Sequence, residues 1–251
     1  MDCFDLTGRV ALVTGASKGL GRVIATALAK AGADVAVASR TQADLDVVAA
    51  ELQANGRRSF AVAADVTDES SIGSMVEQIL ARFGRIDILV NNAGIGDTQA
   101  VVEMDTAHWD RVMNVNLRGP MLCCKHVGPY MIAQRSGKVI NVGSVMAARV
   151  ARYMTPYCSS KAALVQFTRT LALEWIRHGI QVNALCPGYF LTDMNQEFFS
   201  SQRGKQFIKA LPIERLGESR ELEGAAVFLA SEASSYVTGT ALYVDGGHGL
   251  A

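Results

Sequence analysis

Tyr157 and Lys161 are two polar side chains four residues apart, in a chain otherwise rich in alanine, valine and leucine. In a helix, positions i and i+4 lie on one face, so the phenol and the ammonium would be neighbours. A phenol can transfer a proton in catalysis if its pKa, ordinarily about 10, is brought closer to neutrality. A nearby ammonium favours the phenolate. The pair therefore predicts a general acid/base, Tyr157, whose pKa is lowered by Lys161.

A glycine-rich segment, TGASKGLG at 14–21, follows the first apolar run and opens the first amphipathic one. Glycines allow a tight turn and let the backbone approach a pyrophosphate. The N-terminus of the following helix supplies N–H donors and the positive end of its dipole. This position between strand and helix predicts a dinucleotide-binding loop. Its predicted cofactor contacts are Gly15, Ser17, Lys18, Gly19, Leu20 and Gly21.

The ends of the next two predicted strands indicate which dinucleotide binds. An acid at the end of the second strand commonly bonds the ribose 2′-hydroxyl of NAD, but this chain has Ser39 and Arg40 there. Arg40 or Lys18 alone would more often be a solvated surface cation. Two cations converging where the acid is missing favour a 2′-phosphate, and therefore NADP(H). Asp65, followed by Val66, is predicted to meet the adenine, or else to cap the next helix.

Short apolar runs alternate with longer amphipathic segments along the whole chain. The apolar runs lack polar alternation, which indicates strands covered on both faces. The order predicts one doubly wound, Rossmann-type α/β domain over 1–251, with a seven-stranded parallel sheet and helices on both faces. The predicted strands are 9–15, 34–40, 59–66, 86–94, 138–144, 180–188 and 241–247. The predicted helices are 21–33, 41–56, 68–83, 106–134, 156–178 and 219–231. The long aromatic segment 189–217 breaks this rhythm and is predicted to be a lid.

The motifs occur in the order and spacing of one known family. Besides the glycine loop and the Tyr157–Lys161 pair, they are NNAG at 91–94, NVNLRG at 114–119, Ser144, PG at 187–188 and VTGTALYVDGG at 237–247. Each motif is modest alone, but all of them in register are specific. The chain resembles the short-chain dehydrogenase/reductase family over essentially its whole length. The resemblance implies an enzyme that interconverts a ketone and a secondary alcohol.

The resemblance also implies a catalytic group of Asn116, Ser144, Tyr157 and Lys161. Ser144 would orient the substrate oxygen, although a strand-end serine more often only caps the backbone. Asn116 would help to hold a water in a proton relay to Lys161, and Lys161 would also hold the nicotinamide ribose. Many relatives have a serine just before this serine. Here that position is Gly143, which leaves Ser144 as the single candidate.

Further cofactor contacts are implied at the ends of the fourth and sixth strands. They are Asn92, Ala93, Gly94, Pro187, Gly188 and Thr192. Thr192 would bond the nicotinamide carboxamide, and could also cap the following helix.

The substrate is less well defined by the sequence. The predicted wall is mostly apolar and consists of Met146, Arg149, Val150, Met154, Tyr189, Met194, Phe198, Phe199 and parts of 95–99. A hydrophobic or bulky ketone is favoured, while Arg149 and Arg152 could meet an acidic one. Arg135 and Arg177 could contact an acyl-carrier protein, as in 3-oxoacyl reductases, and other similar enzymes reduce sugar-derived ketones such as 5-ketogluconate. An epimerase or dehydratase on the same scaffold is less favoured, because such enzymes usually need additional acid/base residues or belong to a different branch of the family, and the sequence shows neither. A non-enzymatic nucleotide-binding protein is also less favoured, because Ser144, Tyr157 and Lys161 are all present.

Composition narrows the class of partner. The 24 basic and 24 acidic residues balance, so no nucleic-acid partner is indicated. No apolar run approaches the roughly 20 residues that span a bilayer, and the N-terminus lacks a signal-peptide pattern. The five cysteines have no metal-ligand spacing and are expected to be reduced thiols in a cytoplasmic protein without metal. The family resemblance implies a homotetramer with 222 symmetry.

Overall fold

The computed structural model describes residues 2–192 and 195–250 and is built around one parallel sheet. The seven strands are ordered β3-β2-β1-β4-β5-β6-β7, and every neighbouring pair is parallel. The strands are β1 Val10–Thr14, β2 Asp34–Ser39, β3 Ser59–Ala63, β4 Ile88–Asn91, β5 Gly137–Val142, β6 Ile180–Pro187 and β7 Ala241–Val244. The predicted seven-stranded, doubly wound fold is confirmed.

Helices cover both faces of the sheet. They are α1 Gly19–Lys30, α2 Gln42–Ala54, α3 Glu69–Phe83, α4 Thr106–Met113, α5 Gly119–Gln134, α6 Thr155–Trp175, α7 Gln196–Ser200, α8 Gln202–Lys209 and α9 Ser219–Ala230. One apolar layer buries α1, α2 and α9 against the sheet, and the other buries α3, α5 and α6. Because both faces are covered, β1, β4 and β5 are buried along their whole length.

Successive strands are added to one side of β1 as far as β3 and then, from β4 onward, to its other side, and side chains join β1 and β4 at this switch point. The Thr14 hydroxyl accepts hydrogen bonds from the Asn92 and Ala93 amides at 3.1 and 3.2 Å. The Asn92 side chain donates to the carbonyls of Thr14 and Gly15 at 2.9 and 3.1 Å. Open α/β sheets bind ligands at the carboxyl edge beside this reversal.

The segment predicted as one helix over 106–134 is interrupted. Residues Asn114–Arg118 form a π-helical turn between α4 and α5. Such turns insert one extra residue into a helix and are frequent at functional sites. Here the turn carries the buried side chain of Asn116.

The segment predicted as a lid, 189–217, contains two short helices, α7 and α8. A single bridge between Phe190 and Gly217 joins its two ends. Phe199 is buried, whereas Phe198 remains about half exposed. The predicted wall residue Met194 lies outside the described residues. Within the parts of the chain that the structure covers, none of the helices is both long and apolar enough to cross a bilayer.

Candidate active site

The glycine loop is packed so closely that side chains would not fit. A Cβ on Gly21 would lie 2.3 Å from the Gly15 carbonyl oxygen, and a Cβ on Gly15 would lie 2.8 Å from the Cα of Ala93. Gly15 and Gly19 have φ values of +64° and +55°, which favour glycine. Lys18 is the N-cap residue of α1, and its side chain does not cap the helix. The first backbone N–H groups of α1 can therefore donate hydrogen bonds to a ligand.

The end of β2 carries an unsatisfied polar atom. The Ser39 hydroxyl oxygen is buried and has no hydrogen-bond partner among the residues that the structure describes. Buried polar atoms are nearly always partnered, so an absent ligand is a natural partner. Arg40 and Lys18 are exposed, and neither has an ion-pair partner in the ranges 2–192 and 195–250. A ribose hydroxyl and a 2′-phosphate fit these groups.

Asp65 does not cap the next helix. Its Oδ1 accepts hydrogen bonds from the amide and hydroxyl of Thr67 at 2.8 and 2.7 Å. The cap of α3 is Asp68, which accepts from the Ser70 amide. Asp65 therefore orders the turn after β3 and keeps Val66 at the carboxyl edge, where the adenine contact is expected.

Helix α6 brings Tyr157 and Lys161 to the same edge. Lys161 is buried, and its Nζ donates to the Val142 carbonyl at 2.8 Å. The same Nζ lies 5.7 Å from the centroid of the Tyr157 ring. A Cβ on Gly96 would come within 3.1 Å of that ring, so the loop after β4 lies directly against the phenol. The predicted pairing of the two side chains is found.

The predicted electrostatic effect of this pair is not found. Burial raises the pKa of Tyr157 above its ordinary value, and a hydrogen bond with Ser144 only partly opposes the rise. Burial also lowers the pKa of Lys161 to about 8. The expected net lowering of the Tyr157 pKa is thus wrong, because burial of the phenol is the largest influence on it. A phenol that stays protonated suits proton donation.

We predict that carbonyl reduction loses rate above pH about 8, where Lys161 loses its charge. Tyr157 remains protonated through this range because its pKa is raised. Reduction should therefore be nearly independent of pH below the lysine pKa and fall about tenfold per pH unit above it. The measurement is kcat for reduction from about pH 6 to about pH 10, with the unfolding temperature followed in parallel. A flat profile in folded enzyme would contradict the prediction.

Ser144 follows β5 and is buried. Its hydroxyl accepts a hydrogen bond from the Met146 amide at 3.1 Å, so it caps the short turn 145–147. It also lies close enough to the phenol of Tyr157 to lower the pKa of that phenol. Both predicted roles, cap and active-site hydroxyl, are compatible with this position.

The side chain of Cys186, on β6, leaves no room for a side chain at Gly143. A Cβ at this position would lie 2.7 Å from the sulfur of Cys186, closer than real Cβ contacts come. Burial raises the pKa of Cys186 to about 11, so the sulfur is a packed thiol. The sulfur thus fills the space that the second serine of many relatives would need.

We predict that Gly143→Ser destabilises the protein by about 1–3 kcal/mol, the usual cost of overpacking a filled site. Chemical denaturation followed by fluorescence measures the loss. The double variant Gly143→Ser, Cys186→Ala should recover most of it, since alanine removes the obstructing sulfur. Equal stability of the wild type and the single variant would show that the site accommodates a serine side chain, and would contradict the prediction.

Asn116 lies in the π-helical turn and is fully buried. Its amide donates to the Ile95 carbonyl at 2.9 Å and to the Ser160 hydroxyl at 3.0 Å, while its oxygen accepts from the Ile95 amide at 2.9 Å. The side-chain amide of Asn116 therefore donates both of its hydrogen bonds to protein groups. The side chain joins the loop after β4 to α6, and thereby positions Tyr157, whose carbonyl accepts from Ser160.

The end of β6 forms the remaining wall. A Cβ on Gly188 would lie 2.6 Å from the Cα of Asp245, and the Gly188 amide donates to Val244 at 2.9 Å. The methyl of Thr192 lies 3.9 Å from where a Cβ of Gly19 would be, so this side chain faces the glycine loop. Thr192 does not cap α7, because Asn195 holds that position. Pro187 ends β6 at the same edge.

The predicted site residues therefore gather at one edge of the sheet. Gly15–Gly21, the loop Asn92–Gly94 and the pair Ser144–Tyr157 all follow the carboxyl ends of strands. His248 was not among the predicted site residues, although its ring packs edge-on against Tyr189 at 5.4 Å. The sequence offered little signal for it, since a lone histidine after β7 becomes visible only through contacts between distant parts of the chain.

Comparison with known proteins agrees with this arrangement. A family model described as enoyl-(acyl carrier protein) reductase matches residues 15–249. The chain is 39% identical over 249 residues to 2-dehydro-3-deoxy-D-gluconate 5-dehydrogenase of Dickeya dadantii, covering 98% of each chain. It is 38% identical over 238 residues to 3-oxoacyl-[acyl-carrier-protein] reductase FabG of Staphylococcus epidermidis, covering 94% of this chain and 97% of that one.

A solved structure is similar throughout. The gluconate 5-dehydrogenase from Burkholderia cenocepacia J2315, in complex with NADP and tartrate, superposes with a TM-score of 0.96 at 37% identity, covering 100% of this chain and 98% of that one. Matches of this extent, together with the glycine loop and the serine–tyrosine–lysine arrangement, identify the chain as a member of the short-chain dehydrogenase/reductase family of oxidoreductases.

Proposed function

We propose that this enzyme uses NADP(H) to reduce a ketone to a secondary alcohol, or to run the reverse reaction. The observation that carries the proposal is the position of the Tyr157 phenol, which contacts Ser144 and lies close to buried Lys161 at the carboxyl edge of the sheet. When bound, NADPH supplies a hydride to the substrate carbon. The protein must then bind the carbonyl oxygen and give it a proton.

Different residues bind the carbonyl oxygen and supply its proton. Ser144 donates a hydrogen bond that orients the carbonyl oxygen, and Tyr157 gives the same oxygen its proton. The positive charge of Lys161 lies beside the phenol and stabilises the Tyr157 phenolate that remains after proton transfer. Asn116 holds the loop and helix that carry these groups, through Ile95 and Ser160. In the oxidative direction Tyr157 accepts the proton.

The cofactor assignment rests on the glycine loop and the end of β2. Gly15, Ser17, Gly19, Leu20 and Gly21 would hold the pyrophosphate against the first amides of α1. The 2′-phosphate would meet the following groups: Lys18, Ser39 and Arg40. The adenine would lie by Asp65 and Val66. The nicotinamide half would lie among Asn92, Ala93, Gly94, Tyr157, Lys161, Pro187, Gly188 and Thr192.

We predict that Arg40→Asp shifts the preference from NADP(H) toward NAD(H). The change removes a charged donor to the 2′-phosphate and adds a repelling carboxylate, so the ratio of kcat/KM values should fall about 10- to 100-fold. Kinetics with both cofactors measure the ratio. Arg82→Asp, which makes the same change at another exposed arginine, in the last turn of α3, is the matched control. An unchanged ratio in Arg40→Asp would remove Arg40 from the cofactor site.

A panel of ketones and alcohols tests the activity itself. Absorbance of reduced nicotinamide is followed with apolar ketones, keto acids, sugar-derived ketones such as 5-ketogluconate, and a 3-oxoacyl thioester. Steady NADPH oxidation with at least one ketone supports the proposal. Tight cofactor binding without turnover of any member would favour a nucleotide-binding protein without catalysis.

A sugar-derived keto acid is a second, narrower candidate for the substrate, supported by the relatives that act on gluconate and its derivatives. The acyl-carrier alternative has less support from position. Arg135 and Arg177, which could have met a carrier protein, precede β5 and β6 at the amino edge of the sheet. Tyr157 lies at the opposite edge, so a carrier held by these two arginines would be far from it.

The proposed assembly is a homotetramer in the cytoplasm. Exposed apolar side chains on α5 and α6 support a subunit interface: Met121, Tyr130 and Leu173. The cysteines recorded are all free thiols, in keeping with a reducing compartment. Light scattering coupled to size-exclusion chromatography measures the assembly, and a monomeric mass would contradict it. The segment 189–217 is proposed to act as the substrate lid.

A further inference from the structure

The turn at residues 245–249 follows β7 at the carboxyl edge of the sheet. The Asp245 carboxylate accepts hydrogen bonds from the amides of Gly247 and Gly249 at 3.0 and 2.8 Å, which fixes this turn after β7. A Cβ on Gly249 would lie 3.8 Å from Val145, the residue after Ser144. The turn therefore lies against the segment that carries the active-site serine.

His248 lies on this turn and packs against Tyr189, which follows β6. Its ring contacts Tyr189 edge-on at 5.4 Å and lies 6.4 Å from Phe207 of the lid segment. Burial raises the pKa of Tyr189, and the nearby Tyr157 raises it further. The Nδ1 atom of His248 is buried and has no partner among the described residues, so it is available to a bound molecule.

Arg149 belongs to the segment against which this turn packs, because its backbone amide donates to the carbonyl of Val145 at 2.9 Å, and Val145 lies 3.8 Å from where a Cβ of Gly249 would be. Burial lowers the pKa of His248, the charge of Arg149 lowers it further, and Asp245 acts in the opposite direction. Both carboxylate oxygens of Asp245 accept backbone amides. Arg149 is partly buried, and nothing in the ranges 2–192 and 195–250 forms a hydrogen bond or ion pair with its guanidinium. A partly desolvated guanidinium beside an unpaired imidazole nitrogen is suited to an anion.

We propose that Arg149 and His248 form a subsite for a substrate carboxylate, so that the enzyme selects keto acids and hydroxy acids over neutral ketones and alcohols. The inference rests on the proposed oxidoreductase function and names the chemical class of its substrate. Arg149 binds one carboxylate oxygen through charge-assisted hydrogen bonds, and the Nδ1–H tautomer of His248 donates to the other. The carbonyl to be reduced then lies on the Tyr189 side, toward Tyr157 and Ser144.

The subsite distinguishes among the candidate substrates. A sugar-derived keto acid has a terminal carboxylate separated from its ketone by several carbons. A 3-oxoacyl thioester has an uncharged thioester instead and would leave the Arg149 guanidinium unpaired. An apolar ketone would also leave the Arg149 guanidinium without a charged partner. The arrangement therefore favours the acid.

D-Gluconate and D-glucitol are a matched pair for the test, because they differ in carrying a carboxylate or a hydroxymethyl group at one end. Binding of each to the NADP⁺ complex is measured by calorimetry, and oxidation of each is measured by NADPH formation. We expect the wild type to bind gluconate more tightly. Arg149→Gln should lower the acid-to-neutral affinity ratio about 10- to 100-fold and His248→Gln by about tenfold, as expected for hydrogen bonds to charged groups. Arg203→Gln, an exposed change on α8, should leave the ratio unaltered.

Equal affinity of the wild type for D-gluconate and D-glucitol would overturn the subsite. An unchanged acid-to-neutral affinity ratio in Arg149→Gln would overturn it as well. Absence of turnover with every alcohol and ketone would instead count against the proposed function. The calorimetric ratio would still decide the subsite in that case, since it requires binding and no reaction.

Discussion

Tyr157→Phe is expected to reduce turnover about 10³-fold or more while leaving NADP(H) affinity nearly unchanged, because the change removes the proton donor alone. The ring stays in place against the loop at Gly96, so packing is preserved. The raised pKa of Tyr157 means that the wild-type phenol is protonated at neutral pH and ready to donate. Single-turnover kinetics and cofactor titration by fluorescence separate the chemical step from binding.

Tyr153→Phe is the matched control for this change. Tyr153 lies four residues earlier in the chain, and its side chain is exposed. Loss of the same hydroxyl there should leave kcat within about twofold, as is usual for surface changes. Retained activity in Tyr157→Phe would remove this tyrosine from the proton transfer.

Ser144→Ala is expected to lower kcat about 10²- to 10³-fold, the usual effect of deleting one donor to a reacting oxygen. Its hydroxyl contacts Tyr157 and caps the turn at Met146. Because the cap is lost as well, the variant should also be less stable by about 1 kcal/mol. Steady-state kinetics and denaturation are therefore measured on the same preparation.

The two roles of Ser144 give different results. A strong fall in kcat with modest destabilisation indicates that the hydroxyl acts on the substrate. A stability loss with kcat within about threefold of the wild type, far from the loss expected for a missing donor, would reduce Ser144 to a backbone cap. Measurement below the unfolding temperature of the variant keeps the two effects apart.

The fold could be predicted because its signals are local. Buried strands such as β1 and β4 are continuous apolar runs, and glycines mark the turns that follow them. The pair Tyr157–Lys161 was visible because both residues are on one helix. The interruption of the helix at Asn116 was not predicted, since a π-helical turn depends on tertiary contacts with Ile95 and Ser160.

The electrostatics of the site could not be predicted from spacing. Two groups four residues apart on a helix suggest an ion-pair effect, but the sign of a pKa shift depends on how much water reaches each group. Lys161 is buried and donates to Val142, and burial raises the pKa of Tyr157. His248 and Cys186 illustrate the same limit, because each contacts the site across long sequence separations.

The central claim is that Tyr157 and Ser144 hold the substrate oxygen while hydride transfer occurs at the adjacent carbon. A crystal structure of the enzyme with NADP⁺ and a bound alcohol tests it most directly. We predict the alcohol oxygen within about 2.6–3.2 Å of both side-chain hydroxyls, and its carbon about 3–3.5 Å from the nicotinamide carbon that accepts the hydride. An alcohol oxygen bound away from Tyr157, with the nicotinamide ring beyond reach of its carbon, would contradict the account.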